Sequence, residues 1–278
     1  MNKIVFVSDF FVEQIIGGGE LNDYECFKAL KNKNFNVEKI NSHLLKKQNL
    51  SQDCLYIVSN FVNLRHEVIE EFQNYTYIIY EHDHKYLKSR NPANFINFVA
   101  PPSELVNISF YKSAKAVLCQ TDFHLKIVKK NTGLENLINL GGNLWSSESL
   151  QHMLQISKNE KVKKIAILNS DIEHKNTKAS IEWCLRKNKE YNLVSDSNYL
   201  TFLSKLGKNE KFLFMPKTPE TLSRVCVEAR MMNMGVITNG LIGASKEDWF
   251  SLKGEELINF MFFKREKIIN IILGFFNE

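Results

Sequence analysis

Short runs of β-branched and aromatic residues alternate with segments of helical spacing along the 278-residue chain. This alternation, made twice over, constrains the fold more than any other feature. In the first half the strand-like runs are Ile4 to Val7, Val37 to Ile40, Leu55 to Val58, Tyr75 to Tyr80 and Ala116 to Cys119. Helical segments are predicted over Glu20 to Lys33, Val62 to Phe72, Leu105 to Tyr111 and Phe123 to Lys130; in the first, Leu21, Tyr24, Phe27 and Leu30 recur at helical spacing. The pattern restarts at Lys164, with strands over 164–168, 191–194, 212–215 and 236–238, helices over 177–187, 199–206 and 221–232, and a long helix over 255–276. Strands alternating with helices form parallel sheets joined by right-handed crossovers. The predicted fold is therefore α/β, with two Rossmann-like, doubly wound domains. The stretch 131–149, with Gly133, Gly141 and Gly142, marks the junction, so the predicted domains are residues 1–145 and 146–255, followed by a terminal helix over 256–278. Such units bind ligands at the carboxyl ends of their strands, and the two are expected to face each other across a cleft.

Composition narrows the class. With 44% hydrophobic and 24% charged residues the chain is ordinary globular material. The run Ile4 to Val7 is too short for a signal-peptide core, and Ile268 to Phe276 is about half the length of a membrane span, so a cytoplasmic protein is expected. Cys26, Cys54, Cys119, Cys184 and Cys226 are odd in number, far apart and free of C-x-x-C pairs. That argues against a disulfide framework or a cysteine zinc site and suits a reducing compartment. The net charge of +5 permits an anionic partner without being a nucleic-acid signature. The clusters Lys28, Lys31, Lys33 and Lys161, Lys163, Lys164 read as solvated helix ends and loops.

The sharpest local feature is a pair of glutamates, Glu220 and Glu228, after the predicted strand over 212–215. With a helix starting at Thr221, its first amides, on Thr221, Leu222, Ser223 and Arg224, suit a diphosphate, because helix N-termini carry unpaired N–H groups and a positive dipole end. Glu220 then stands where it accepts from sugar hydroxyls, and Glu228, two turns on, where it accepts from a ribose. Gly17-Gly18-Gly19-Glu20 follows the first strand, where glycines let the backbone approach a bulky anion. It is not G-x-G-x-x-G, which disfavours a dinucleotide oxidoreductase. Glu81-His82-Asp83-His84 ends the strongest strand. Asp83 is a candidate general base, or a partner of Arg90; an H-x-H metal site lacks a convincing third ligand.

Glu220-x7-Glu228, followed by Ala229, Gly235 to Asn239 and Gly243, resembles the donor-site signature of retaining glycosyltransferases of the GT-B fold. The resemblance implies that Glu220 contacts the transferred sugar and Glu228 the ribose. It implies that Gly18 and Gly19 line the cleft near the donor phosphates, with Glu20 toward the acceptor. Lys175 matches the family's diphosphate-binding lysine, Asn176 stands in place of its glycine, the usual arginine is absent, and Arg224 is the candidate substitute. His82 or His84 corresponds to a histidine near the sugar, and His84 and Arg90 shape the acceptor side. The terminal helix is expected to cross back onto the first domain. The expected enzyme is a hexosyl- or pentosyltransferase using a UDP- or GDP-sugar, retaining and without a protein nucleophile, metal or cofactor. Asp83 as base would instead suit inversion. The acceptor is a glycan, a lipid-linked sugar or a hydroxymethylated DNA base, the last with Lys28, Lys31, Lys33 and Arg65 along a groove. The alternative is a non-catalytic nucleotide-sugar-binding protein.

Overall fold

The structure, a computed structural model, describes residues 3–277. Among these, strands and helices alternate in the order β1 (Lys3–Ser8), α1 (Gly18–Asn32), β2 (Val37–Asn41), β3 (Cys54–Val58), α2 (His66–Glu71), β4 (Tyr77–Tyr80), α3 (Ile108–Ser113), β5 (Val117–Cys119), α4 (Asp122–Thr132) and β6 (Leu137–Asn139). There follow α5 (Ser147–Ser157), β7 (Val162–Leu168), α6 (Thr177–Arg186), β8 (Tyr191–Val194), α7 (Tyr199–Gly207), β9 (Asn209–Phe214), α8 (Arg224–Met231), β10 (Gly235–Thr238) and α9 (Gly254–Asn277). The strands form two parallel sheets, ordered β2-β1-β3-β4-β5-β6 and β10-β9-β7-β8. The α/β class with two parallel sheets is the one the alternation predicts.

Two compact units result, one ending at Leu144 and resuming at Lys264, the other Trp145–Phe263. In the first unit, the period-2 geometry of a strand sorts side chains to two faces. Val5, Val7, Tyr56, Val58, Tyr77 and Ile79 pack on one side, together with Phe72, Phe110 and Tyr111. Ile4, Phe6, Leu55, Ile57, Ile78 and Tyr80 pack on the other, against Cys26 and Leu30 of α1 and Ile268, Ile269 and Ile272 of α9. Both faces are covered, which is why these strands read as unbroken apolar runs. The second unit repeats the scheme: Ala166, Phe212 and Phe214 face α5, α7 and α8, while Ile165, Ile167 and Leu213 face Cys184 of α6.

Local chemistry sets the element ends. Thr121 caps α4 by accepting from the His124 amide at 3.1 Å, and Gly133, at φ 66°, closes it. Asn198 caps α7 through the Thr201 amide at 2.9 Å. Two elements go beyond the sequence reading. α5 starts from a Ser146 cap on the Ser149 amide, 3.0 Å, inside the stretch read as a junction, and β6 pairs with β5 in the same stretch. All five cysteines are buried and free. No helix among the described residues is long and apolar enough to cross a membrane.

Candidate active site

In an open parallel sheet, ligands bind outside the carboxyl ends of the strands where the winding reverses. In the second unit that point lies between β7 and β9. The connections leaving these strands are tied together. The Lys217 amide donates to His174 O at 2.9 Å, and Asn176, left-handed at φ 56°, donates from Nδ2 to Met215 O at 2.9 Å. Thr177 Oγ1 closes the first connection with bonds to Leu168 O and Ser170 O. On this frame Lys175 Nζ donates to Glu220 Oε1 at 2.9 Å. Both side chains are half-buried, and Lys175 Nζ also lies 5.7 Å from the centre of the Phe214 ring.

Glu220 does not open a helix, contrary to the sequence reading. It forms an isolated parallel bridge with Ile242: its amide donates to Leu241 O at 2.8 Å and its carbonyl accepts from the Gly243 amide at 2.9 Å. The Ala244 amide donates to Leu222 O at 3.0 Å, and the chain bends at Thr221 and Leu222. Ser223, at φ 72° and ψ 81°, makes the turn, and α8 begins at Arg224. The amides opening the helix are therefore those of Arg224 and Val225, while those of Cys226 and Val227 donate to Ser223 O. The physical reason is non-local: the loop over 239–244 supplies the hydrogen bonds that a helix starting at Thr221 would have made internally.

Glu228 is enclosed, at 2% exposure, and Arg224 nearly so. Glu228 Oε1 accepts from Trp145 Nε1 at 3.0 Å, Tyr199 OH at 2.6 Å and Arg224 Nε at 3.2 Å. The Arg224 guanidinium lies 4.5 Å over the Trp145 ring and donates to Tyr199 OH at 3.3 Å. Burial, and then the Glu228 carboxylate, push the Tyr199 phenol up, so it stays a donor. Arg224 is thus engaged by Glu228, Tyr199 and Trp145. Trp145 and Tyr199, which sequence reasoning did not join to this site, lie 83 and 29 residues from Glu228, and no local pattern links them.

In the first unit the winding reverses between β1 and β3. Helix α1 starts at Gly18, ahead of the predicted Glu20, with Gly17 as its cap residue at φ −133°, so Gly18, Gly19 and Glu20 form its first turn. The Glu20 carboxylate folds back over Gly17, where a side chain would collide with it, and accepts from Asn60 Nδ2 at 3.4 Å. Burial raises the Glu20 carboxyl above its ordinary value, and a hydrogen bond from its own backbone amide offsets this in part. Asp9 knits the loops of this edge: its carboxylate accepts from the Val62 and Asn63 amides at 2.9 and 3.0 Å and from Ser42 Oγ.

The turn after β4 is built on Glu81, fully buried, which accepts from the Asp83 amide at 2.9 Å, from Lys85 Nζ and from Tyr111 OH. His82 sits between Asp23 and Gln120, at 2.7 and 2.6 Å. Asp83 pairs with Arg90 at 3.3 Å, with both side chains partly exposed. His84 is buried: its Nδ1 meets Tyr86 OH at 3.0 Å and its ring meets the edge of His124. Burial, reinforced by His84 and Lys85, holds the His124 imidazole well below its ordinary value. No group of three or more His, Cys, Asp or Glu among the described residues could hold a metal ion.

No protein-family model matches the chain, and no curated protein matches it. Solved structures do. The chain is similar to HepE of Anabaena, solved with UDP and glucose, at 13% identity over 88% of this chain and 82% of that one, TM-score 0.53. It is similar to the catalytic domain of starch synthase IV of Arabidopsis thaliana, bound to ADP and acarbose, at 9% identity over 96% and 91%, TM-score 0.51. A third is an alpha-glucosyltransferase solved with UDP and a 13-mer DNA containing an HMU base, at 9% identity over 96% and 90%, TM-score 0.50. At these identities the likeness establishes the fold: the chain has the GT-B architecture expected from its sequence.

Proposed function

We propose that the protein is a glycosyltransferase that moves a sugar from a nucleoside diphosphate sugar to an acceptor hydroxyl. The observation that carries this reading is the Lys175–Glu220 pair, 2.9 Å apart at the switch point of the second sheet. A cation beside a carboxylate, next to the first amides of α8, suits a donor with a diphosphate at one end and hydroxyls at the other. Lys175 and the Arg224 and Val225 amides would take the charge that develops on the leaving phosphate, and Glu220 would orient the sugar. Lys175 must then leave Glu220 for the phosphate when the donor arrives. Glu228 Oε1 is already occupied by three donors, so a ribose hydroxyl would be met by Oε2 or by exchange with one of them.

Residues 146–255 form the donor side in this reading, 1–145 the acceptor side, and 256–278 the helix that returns to it. Gly18 and Gly19 offer their amides at the carboxyl edge of the first sheet, and Asp83, Arg90 and Glu20 line that edge. Transfer proceeds with retention and without a protein nucleophile; the hexosyl or pentosyl class follows the donor. Five free, buried cysteines suit a reducing cytoplasm.

A glycan or lipid-linked sugar fits the acceptor better than a DNA base. Helix α1 runs from the carboxyl to the amino edge of its sheet, so Lys31 and Lys33 end up about 20 Å from Gly18. Lys28 is paired with Glu25, Lys33 with Glu266, and Arg65 lies near Glu67, so these cations do not present an unopposed positive stripe to a polyanion.

The test is nucleotide release from UDP-, GDP- and ADP-sugars with a panel of acceptors, beside calorimetric binding of the free nucleotides. Glu220→Ala is expected to abolish transfer, and Lys175→Met to weaken nucleotide binding at least about tenfold. Both should stay folded with a melting temperature close to wild type, because a part-exposed pair contributes about 1 kcal/mol or less. Wild-type turnover in Glu220→Ala would remove Glu220 from the site. Nucleotide binding without any transfer would make the chain a nucleotide-sugar-binding protein.

A further inference from the structure

The ring of His82 is held on every side. Its Nε2 lies 2.7 Å from Asp23 Oδ1, and its Nδ1 lies 2.6 Å from Gln120 Nε2. The orientation of the Gln120 amide is set independently: the same nitrogen reaches Glu81 O at 3.4 Å, and Gln120 Oε1 accepts from Asn143 Nδ2 at 3.4 Å. An amide N–H donates, so Nδ1 must accept. A neutral imidazole has one acceptor and one donor, so Nε2 carries the proton and donates to Asp23. One face of the ring stacks on Tyr80 at 4.7 Å between centres, with planes 22° apart. Beside the ring lies Gly19, where a Cβ would stand 3.5 Å from His82 Cδ2 and Cγ. The side chain is 5% exposed.

We propose that Asp23 and Gln120 are positioning residues that lock His82 as its Nε2–H tautomer, and that the locked ring spaces the Gly18-Gly19 helix start from the turn after β4 instead of acting as acid or base. The consequence for turnover rests on the glycosyltransferase reading above; the tautomer does not.

The clamp joins three connections at one sheet edge. Asp23 belongs to the second turn of α1, His82 to the turn after β4, and Gln120 to the link between β5 and α4. Proton transfer needs a ring nitrogen aimed at a substrate atom. Here both nitrogens are spent on protein partners, and the ring edge that holds them is turned into the unit. Asp23 is itself buried, and its second oxygen, Oδ2, has no hydrogen-bond partner among the described residues. Its bond to His82 is therefore what keeps the carboxylate satisfied, and the two residues hold each other in place. Asn22, next in the same helix, extends the brace: its Oδ1 accepts from the Leu144 amide at 3.0 Å and from Tyr80 OH at 3.4 Å, beneath the stacked ring.

The direct test is long-range proton–nitrogen correlation NMR on the full chain labelled with nitrogen-15 histidine, with the His82 signals assigned by their loss in His82→Gln. The expected result is a single Nε2–H form in the wild type and a mixture of tautomers in Asp23→Asn and Gln120→Leu. A wild-type ring protonated at Nδ1, or a mixture of tautomers in the wild type, overturns the clamp. Turnover adds a second readout. The Gln side chain can place an amide nitrogen where Nε2 lies and still donate to Asp23, yet it cannot exchange a proton. His82→Gln is expected to stay within about tenfold of wild-type kcat with donor KM unchanged, whereas His82→Ala loses about 100-fold or more. His82→Gln as inactive as His82→Ala, with UDP binding intact in both, would restore an acid or base role and sink the proposal. Should the wild type transfer no sugar at all, the functional reading fails while the tautomer still decides the clamp.

Discussion

Glu228 is doing two jobs at once if it reaches a ribose, because it is already the anchor of a buried cation. With Arg224 beside it, Trp145 and Tyr199 bonded to it and little solvent near, removing the carboxylate strands a guanidinium in the interior. Breaking one partner of such a pair typically costs about 3–5 kcal/mol, while replacing both by apolar groups of similar volume is near neutral. Glu228→Ala is expected to lower the unfolding free energy by about that amount, and Arg224→Met with Glu228→Leu to recover most of it. Chemical denaturation followed by tryptophan fluorescence measures both, since Trp145, Trp183 and Trp249 all lie in the second unit. UDP affinity separates the two jobs: the double variant should regain stability and stay unable to bind. At this scale the sequence singled out Glu220 and Glu228 by their spacing and Lys175 by the family resemblance, and the structure brings Lys175 to Glu220. The sequence could not show their present partners, because Trp145 and Tyr199 reach Glu228 only through folding.

The elements were legible where periodicity was strong and ambiguous where a backbone partner came from far away. Most strands declare themselves as apolar runs, but β6 and the start of α8 do not: β6 is a three-residue strand paired with β5, and the chain ahead of α8 is held by the bridge from Glu220 to Ile242. The turn at its head is a residue-level compromise: Ser223 occupies φ 72°, a region that costs an L-residue about 1–2 kcal/mol and glycine little. Glycine gives back part of that through its freer unfolded chain, so Ser223→Gly should stabilise the protein by about 0.5–1 kcal/mol, read as a higher denaturation midpoint. Helix α1 errs the other way, because glycines that look like loop form its first turn. The first turn of α4 carries a pH signature. His124 is buried there, and its folded value lies well below the ordinary 6.5 because burial opposes its charge. Below 6.5 the unfolded chain therefore binds a proton that the folded chain refuses, so stability must fall as pH drops from neutral. Urea midpoints between pH 7.5 and 5.5 should decline in the wild type and decline less in His124→Gln. An unchanged slope in that variant would put the acid sensitivity elsewhere.

At the scale of the whole molecule, the order of the chain and the order of its packing disagree, and the last helix is the cause. α9 runs for 24 residues, about 36 Å, and serves two cores in succession. Leu257, Ile258 and Met261 pack with the second unit, and Ile268, Ile269 and Ile272, each fully buried, complete the face of the first sheet that α1 also covers. The first unit is therefore first in sequence but draws part of its core from α9, which follows the whole second unit along the chain. Fully burying an isoleucine contributes about 1.5–3 kcal/mol, and truncating one in a core to alanine costs about 2–5 kcal/mol, a large part of the stability of a domain. Ile269→Ala is expected to weaken the first unit selectively. Seven of the nine tyrosines lie there and all three tryptophans lie in the second unit, so the two can be followed separately. In that variant the tyrosine near-ultraviolet circular dichroism should melt at lower temperature, while the tryptophan fluorescence transition moves less. A fragment ending at residue 144 should fail to melt cooperatively for the same reason, since it lacks the apolar ridge that α9 lays over β1, β3 and β4. A cooperative, wild-type-like transition in that fragment would show that the ridge is dispensable and that the first sheet closes its core without the end of the chain.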